Sequence, residues 1–340
     1  MSESLRFNTV LGKFTQSVIL IYQGIAVVIF IASLILGAAW LRKPFLGGFL
    51  EQTLVLNGTG EDRQDWALYA QGFKIGDQLL YANSQRVASA ADLERALGPV
   101  KVGETIPVVM HTTEGDVVLA EITLQPFPFA DRIAYFILPM FLSLVFLVIS
   151  LWIFGLRRTE PAGRAFSIMT TSVAIGTGAL FDLYTTHAFT YLWTMAIAFC
   201  GGALIDLGLC FPQEARILFR RPYLRWSGYV IGIVLAINAY LKLYDFENPT
   251  AYFGAWRLIY AFLGLSALYY FGALAYRAFW SYSPVVKSQA RTILSGAVLA
   301  FGPIAVWLLY SSVKNAMSAF NHPATFSPYL FLPLIFFPLV

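Results

Sequence analysis

Histidine, cysteine and charged residues are all scarce in this chain of 340 residues. The three histidines, His111, His187 and His322, lie far apart, so no His-Glu-x-x-His zinc motif exists. Cys200 and Cys210 fall in one apolar run, on different faces of a straight helix, and cannot pair within it. No Gly-x-Ser-x-Gly nucleophile motif and no phosphate-binding Gly-rich loop is present. We therefore predict no catalytic residue, no metal and no cofactor, and leave open whether a parent protein is an enzyme.

Charge is low and hydrophobicity is high. Charged residues make up 12% of the chain and hydrophobic residues 58%, whereas a soluble chain carries about 25% charged residues. The net charge of +4 does not indicate nucleic-acid binding, because the basic residues cluster beside apolar runs. This composition predicts a membrane protein whose main partner is lipid.

Seven apolar runs, each near the roughly twenty residues that cross a bilayer, surround one polar insert. They are Gln16–Trp40, Ile133–Leu156, Ala165–Leu183, Thr190–Phe211, Ser227–Leu243, Ala255–Phe279 and Thr292–Ser311. An eighth run begins near Ser327 and reaches Val340 after fourteen residues, so we expect a truncated span. The first run is too long for a secretory signal core of about 7–15 residues and is interpreted as an uncleaved anchor.

The predicted fold is thus a membrane α-helical bundle of about eight spans with an inserted small α+β domain. Residues 1–43 hold a cytoplasmic N-terminus and the first membrane helix. Residues 44–127, called the insert below, form an extracytoplasmic domain. Residues 128–340 form a multi-helix membrane domain that is cut within its last span.

Alternate loops differ in basic charge, and this difference predicts the orientation. One set of loops carries Arg157, Arg158, Arg164, Arg216, Arg220, Arg221, Arg225, Lys287 and Arg291. The other set holds only Lys314 as a basic residue. Positive loops stay cytoplasmic, which places the N-terminus inside and the insert outside. Arg42 and Lys43 oppose this orientation, but three basic loops outweigh one dipeptide.

Within the insert, β-branched residues and turn signals predict four strands and one helix. The strands are Thr53–Leu56, Gln78–Ala82, Thr105–Thr112 and Val117–Leu124. The helix is Ser89–Leu97, with Ser89 as its N-cap and Asp92 in its first turn. Glu114-Gly115-Asp116 is the predicted hairpin turn between the last two strands.

The insert resembles a PDZ domain of the bacterial kind. The resemblance lies in Ala70-Gln71-Gly72-Phe73-Lys74-Ile75-Gly76-Asp77-Gln78-Leu79-Leu80-Tyr81-Ala82-Asn83, in Val87 and in Ala91-Asp92-Leu93. These match the family pattern A-x-G-L-x-x-G-D-x-I-x-x-(I/V)-N-G, from which Ser84 departs by replacing its last glycine.

The PDZ resemblance implies that an extended peptide adds as a strand. Its carboxylate would be held by the loop Leu46-Gly47-Gly48-Phe49, opposite a helical wall at Ala91–Leu97. Alternatively, Gly47 and Gly48 form only a flexible link after the first membrane helix.

Three polar residues inside or at the edge of apolar runs are further candidates, because polar groups in lipid are costly. Asp206 is either functional or paired with an arginine of the nearby basic loop. Asp182, with His187, lies at the edge of its run and is interpreted as interfacial. Asn238 is expected to form a helix–helix hydrogen bond.

The layout of the whole chain is similar to the sensory half of a bacterial histidine kinase family, the competence-pheromone sensor kinases of bacilli. Besides the insert, Leu209-Cys210-Phe211-Pro212 and the Phe331–Leu339 stretch carry this resemblance. It implies a homodimeric receptor in a two-component signal-transduction system. That receptor would take a peptide or small-molecule signal outside and pass it to a cytoplasmic output domain beyond Val340. The alternative is a PDZ-bearing membrane scaffold or protease accessory that binds protein C-termini.

The predicted orientation is tested by replacing Ser89 with cysteine. A membrane-impermeant thiol reagent is expected to label Ser89→Cys in intact cells, because the insert would face the outside. Labelling that required cell lysis would reverse the orientation.

Overall fold

The computed structural model describes residues 2–59, 63, 65–316 and 332–333. These form mostly helices and one small antiparallel sheet. The helices are α1 Ser2–Trp40, α2 Ala67–Ala70, α3 Ala90–Leu97, α4 Phe129–Asp131, α5 Leu138–Arg157, α6 Pro161–Gly178, α7 Leu180–Thr185, α8 Thr190–Cys210, α9 Arg216–Arg220, α10 Ser227–Tyr240, α11 Ala251–Trp280 and α12 Pro284–Ala316. A π-helical turn, Arg132–Ile137, joins α4 to α5, and a 3-10 helix, Pro222–Trp226, precedes α10.

Four of the described helical segments are long and apolar enough to cross a membrane, which favours a membrane protein. They are Gly12–Trp40, Phe129–Arg157, Thr190–Cys210 and Ala251–Trp280. The expectation of about eight spans is not supported. α10 has only 14 residues, and the run predicted at 165–183 is divided at Ala179 between α6 and α7. The run predicted at 292–311 lies within α12 and is not among the four. The eighth predicted run lies outside the described residues except for 332 and 333.

The described insert contains a four-stranded antiparallel sheet in the order β2-β1-β3-β4. Its strands are β1 Gln78–Ala82, β2 Gln85–Arg86, β3 Thr105–His111 and β4 Val117–Thr123. A two-residue turn joins β1 to β2, and both of its residues, Asn83 and Ser84, have positive φ, at 51° and 61°. This left-handed geometry is the kind that hairpin turns of two residues require. Ser84 therefore adopts the conformation for which glycine is the usual choice.

Capping explains where α3 begins. The Ser89 hydroxyl accepts a hydrogen bond from the Asp92 N–H at 3.3 Å. The Asp92 carboxylate accepts one from the Ala88 N–H at 3.0 Å. The first bond satisfies a main-chain donor that the first helical turn leaves unpaired, and the second holds the residue before the cap against the helix.

The prediction of a regular strand at Thr53–Leu56 is wrong. It is an irregular segment with two isolated bridges, Leu50 to Leu56 and Val55 to Gln78. Leu54 has a φ of +61°, which interrupts the extended backbone that a strand needs. The segment instead packs as part of the insert's core.

Aromatic residues join the insert to the ends of the membrane helices. Trp40, the last residue of α1, lies 5.6 Å from the ring of Phe127 and 5.4 Å from the ring of Phe181 in α7. Phe45 meets Trp66 at 4.9 Å, nearly perpendicular. Edge-to-face pairs of this kind are favourable beyond the area they bury. The apolar core of the insert is therefore continuous with that of the helix ends.

Small residues bring the helices close together, as is common between membrane helices. A β-carbon on Gly202 of α8 would lie 3.0 Å from the backbone of Gly228 in α10, and one on Gly232 only 2.8 Å from the carbonyl oxygen of Ala198. Glycine at these positions allows the two backbones to touch. These contacts indicate packing.

A partly buried ion pair ties the insert to α4. Arg63 binds both carboxylate oxygens of Asp131, at 2.6 and 3.0 Å, and the Trp66 indole N–H donates to the same carboxylate at 3.0 Å. The Asp131 side chain is 2% exposed, whereas Asp65, the other partner of Arg63, is 56% exposed.

Asp131→Asn is expected to lower the free energy of unfolding by about 1–3 kcal/mol, because it leaves buried donors poorly paired. The control, Asp65→Asn, is expected to cost less than about 1 kcal/mol, since exposed ion pairs contribute little. Denaturation of the full chain in detergent micelles measures both, and equal losses would contradict this account.

Candidate ligand cleft and polar junction

A cleft of about 550 Å³ opens between the segment that follows α1 and helix α3. Leu46, Gly48 and Phe49 line one wall, and Ala91 and Leu93 are among the residues of the other wall. The cleft thus lies between the predicted carboxylate loop and the predicted helical wall. Its floor reaches the membrane helices, because Trp40, Tyr184, Thr185 and Thr186 also line it.

Unlike Leu46, Gly48 and Phe49, Gly47 does not line the cleft and packs against Ala67 instead. It has a φ of +82°, and a β-carbon there would lie 2.1 Å from the backbone nitrogen of Ala67. Its carbonyl accepts a hydrogen bond from the Leu68 N–H at 3.2 Å. Gly47 is therefore a packed structural position, and the interpretation of Gly47 and Gly48 as a flexible link does not fit these contacts.

Two main-chain donors on the cleft wall are unused. Gly48 and Phe49 are buried, yet among the described residues no group accepts a hydrogen bond from either backbone N–H. The neighbouring Phe45 N–H, in contrast, donates to Gln125 at 2.8 Å. Buried backbone donors are nearly always paired, so these two could serve a bound acceptor such as a carboxylate.

Charged residues stand at the mouth of the cleft. Arg42 and Lys43 line it from the end of α1, and Glu94 lines it from α3. Lys43 and Glu94 form an ion pair from opposite walls, with side chains 44% and 63% exposed. An exposed pair of this kind is weak, so a ligand could displace it at little cost.

A buried polar junction borders the cleft, because its central residue, Glu51, also lines the cleft. Glu51, 5% exposed, accepts a hydrogen bond from the Asn57 side chain. Its carboxylate Oε2 is 3.9 Å from Nδ1 of His187, in the turn between α7 and α8. Burial raises the pKa of Glu51 to about 7. Burial also lowers the pKa of His187 below its ordinary value.

Asp182 stabilises the turn that presents His187. Its carboxylate accepts hydrogen bonds from the N–H groups of Ala188 and Phe189, at 3.1 and 2.8 Å, and from the Thr186 hydroxyl. Asp182 and His187 thus belong to one turn, in which Asp182 has a structural role. His187 faces the insert, where its Nε2 lies 3.0 Å from the Leu50 carbonyl oxygen.

The other two candidates lie away from the cleft. Asp206 in α8 pairs with Arg225, whose Nε and Nη2 lie 2.9 and 3.2 Å from its two oxygens. This is the pairing with the basic loop that the sequence offers as an alternative. Asn238 is half-buried on α10 and forms no side-chain hydrogen bond within the described chain, so the expected helix–helix bond is not observed there.

The described residues contain no group of three or more His, Cys, Asp or Glu side chains placed to hold a metal. Comparison with protein-family models, with curated proteins and with solved structures finds no match for this chain. Function is therefore inferred from the chain's own residues and geometry.

Sequence reasoning missed the contact between Glu51 and His187. The two residues are 136 positions apart, and neither belongs to a motif. One signal was available, since Glu51 is a single acidic residue after the apolar stretch Phe45–Leu50. Its burial follows only from the way that the insert docks on the helices.

Gly47→Ala is expected to destabilise the fold more than Gly72→Ala. Both glycines have positive φ, at 82° and 87°, but a β-carbon on Gly72 meets nothing within 4 Å. Left-handed strain costs about 1–2 kcal/mol at either site, and Gly47→Ala adds overlap with Ala67. Thermal denaturation of the full chain measures the difference, and matching losses would contradict the packed role of Gly47.

Proposed function

We propose that this chain is the signal-receiving membrane region of a receptor, of the kind found in bacterial sensor histidine kinases. The PDZ-like insert would face the outside and bind the C-terminal end of a peptide in the cleft. Binding would bias the helices, and a cytoplasmic output domain would read that bias. The observation that carries this proposal is that one cleft is lined by the insert and by membrane-helix ends together.

The chemistry of the cleft suits a peptide carboxylate. The unpaired N–H groups of Gly48 and Phe49 provide main-chain donors, and Arg42 adds positive charge at the mouth. Hydrogen bonds from main-chain N–H groups to an ionised carboxylate are among the stronger kinds. The apolar side chains Leu46, Leu54 and Leu93 would receive an apolar C-terminal residue.

The contacts beneath the cleft offer a route to the helices. Phe49 stacks on Tyr184 of α7 at 5.4 Å and lies 6.0 Å from Trp40 at the end of α1. A ligand that displaced the Phe49 segment would change how α1 and α7 pack. A ligand can shift an equilibrium only through different affinities for its two states, and this shared wall would supply such a difference.

The proposed orientation has support from the two ends of Gly12–Trp40, the apolar segment of α1. Gln16, near the start of this segment, donates a hydrogen bond to the carbonyl of Arg158 in a basic loop at 3.2 Å. Trp40, at its other end, packs on the insert. The basic loop and the insert thus lie at opposite ends of the helix. With the basic end in the cytoplasm, the insert would be outside.

The alternative function is a PDZ-bearing membrane scaffold that recruits protein C-termini. The scaffold would use the same cleft as the receptor, but it would pass no signal to a cytoplasmic output domain. The coding sequence downstream of Val340 separates the two. A phosphoacceptor helix followed by an ATP-binding domain supports the receptor, which we expect to be a homodimer. A stop codon supports the scaffold.

Filling the cleft is expected to abolish peptide binding. Ala91 lines the cleft on the exposed side of α3, so Ala91→Trp would occlude it without disturbing the core. Arg95→Trp on the same helix is the matched control, because Arg95 is 77% exposed and does not line the cleft.

Binding of a fluorescent C-terminal peptide library to the full chain in detergent micelles measures the effect. We expect wild type and Arg95→Trp to bind and Ala91→Trp to lose at least tenfold in affinity, about 1.4 kcal/mol. No binding to the wild type, or equal binding to all three proteins, would overturn the peptide site.

A further inference from the structure

Glu51 is a titratable group in an unusual setting for a carboxyl group. It is a nearly fully buried carboxyl group at the contact between the insert and the membrane helices. The Asn57 side chain donates to Oε1, which leaves Oε2 directed at the helices. The basic group within 4.0 Å of it is the His187 imidazole. Burying a carboxylate without a cation is costly, and a buried carboxyl group tends to stay protonated instead.

The group that faces Oε2 is an imidazole nitrogen. The Leu50 carbonyl oxygen, 3.0 Å from Nε2 of His187, can only accept a hydrogen bond, so Nε2 carries the proton. In the neutral ring Nδ1 is then an acceptor. It lies 3.9 Å from Glu51 Oε2 and has no hydrogen-bond partner within the described chain. A proton on Glu51 removes the negative charge that would otherwise face this lone pair.

The remaining neighbours cannot neutralise an ionised pair. Four neutral tyrosines interact electrostatically with Glu51: Tyr184 of α7, Tyr244 of the α10–α11 loop, and Tyr252 and Tyr260 of α11. Tyr252 also favours the ionised carboxylate as a hydrogen-bond donor, but burial outweighs this effect on the pKa of Glu51. Asp182 of α7 adds negative charge near His187. A second, small cavity of about 10 Å³, lined in part by Glu51, Tyr244 and Tyr252, is close to the size of one water molecule.

We propose that Glu51 carries a proton where it faces His187, and that the loss of this proton loosens the contact between the insert and the helices. The junction would then respond to the pH of the compartment that the insert faces. This inference goes beyond the proposed function, because it needs no ligand in the cleft.

The direction of the response follows from linkage. The pKa of Glu51 is raised from 4.5 to about 7, so the folded protein binds this proton more tightly than the unfolded chain. The stabilisation is complete below about 4.5 and is lost as pH rises to about 7. His187 has a lowered pKa, so its own effect is opposite and destabilises the fold as pH falls below 6.5. Comparison of wild type with Glu51→Gln separates the two.

Infrared spectroscopy of the full chain in detergent micelles tests directly whether Glu51 carries a proton. We expect a protonated-carboxyl band that disappears between about pH 6 and pH 8, centred near the pKa of Glu51. The band should be absent in Glu51→Gln and present in the control Glu121→Gln, an exposed residue of β4. A spectrum that Glu51→Gln leaves unchanged would overturn the proposal.

Cysteine labelling tests the loosening. Thr53 is 2% exposed, and its hydroxyl lies 3.4 Å from the Pro249 carbonyl across the junction. The labelling rate of Thr53→Cys, corrected for thiol ionisation, should rise about tenfold from pH 6 to pH 8. The reason is that the ionised fraction of a group with a pKa of about 7 rises about tenfold over this interval.

In the double variant with Glu51→Gln this rise should be lost. The wild-type protein, which keeps Thr53, measures the background labelling of Cys200 and Cys210, both of which are buried. An equal rise with and without Glu51 would overturn the coupling. Because neither experiment contains a peptide, their outcome is independent of whether the cleft binds one.

Discussion

The insert depends on the ends of the membrane helices for its apolar core. Trp40, Phe136 and Phe181 come from helical elements, and they pack against Phe45, Phe49 and Phe127 of the insert. A domain of this size buries a smaller fraction of its surface than a larger one does. Shared aromatic packing therefore supplies stability that the insert lacks by itself. It also means that the insert cannot move without changing how the helices pack.

Two buried carboxylates lie at the same border, where Asp131 binds Arg63 and Asp182 binds the main chain of its own turn. A third, Asp206, binds Arg225 of the basic loop, away from the insert. Each of these carboxylates has strong donors, as buried charges require. Glu51 differs, because the groups around its carboxylate are an amide, a tyrosine hydroxyl and a neutral imidazole. That difference makes it the group in this border whose charge is most easily changed by pH.

Several elements of the insert could be predicted because their signals are local. β1 has the predicted bounds, and α3 begins after its predicted cap, Ser89. β3 and β4 differ from prediction only at their final residue. The strand predicted at Thr53–Leu56 failed because tertiary contacts hold Leu54 in a left-handed conformation. The eight-span expectation failed because an apolar run can end early, as α10 does, or be split, as between α6 and α7.

The sequence by itself determined the apolar character of the long helices, the location of the insert and most of its strands. These depend on composition and on spacing along a short stretch of chain. Only the tertiary structure decided that the loop at Leu46–Phe49 and helix α3 form two walls of one cleft. It also decided that Glu51 meets His187. Contacts between residues far apart in the chain depend on how whole elements dock, and no local pattern records that docking.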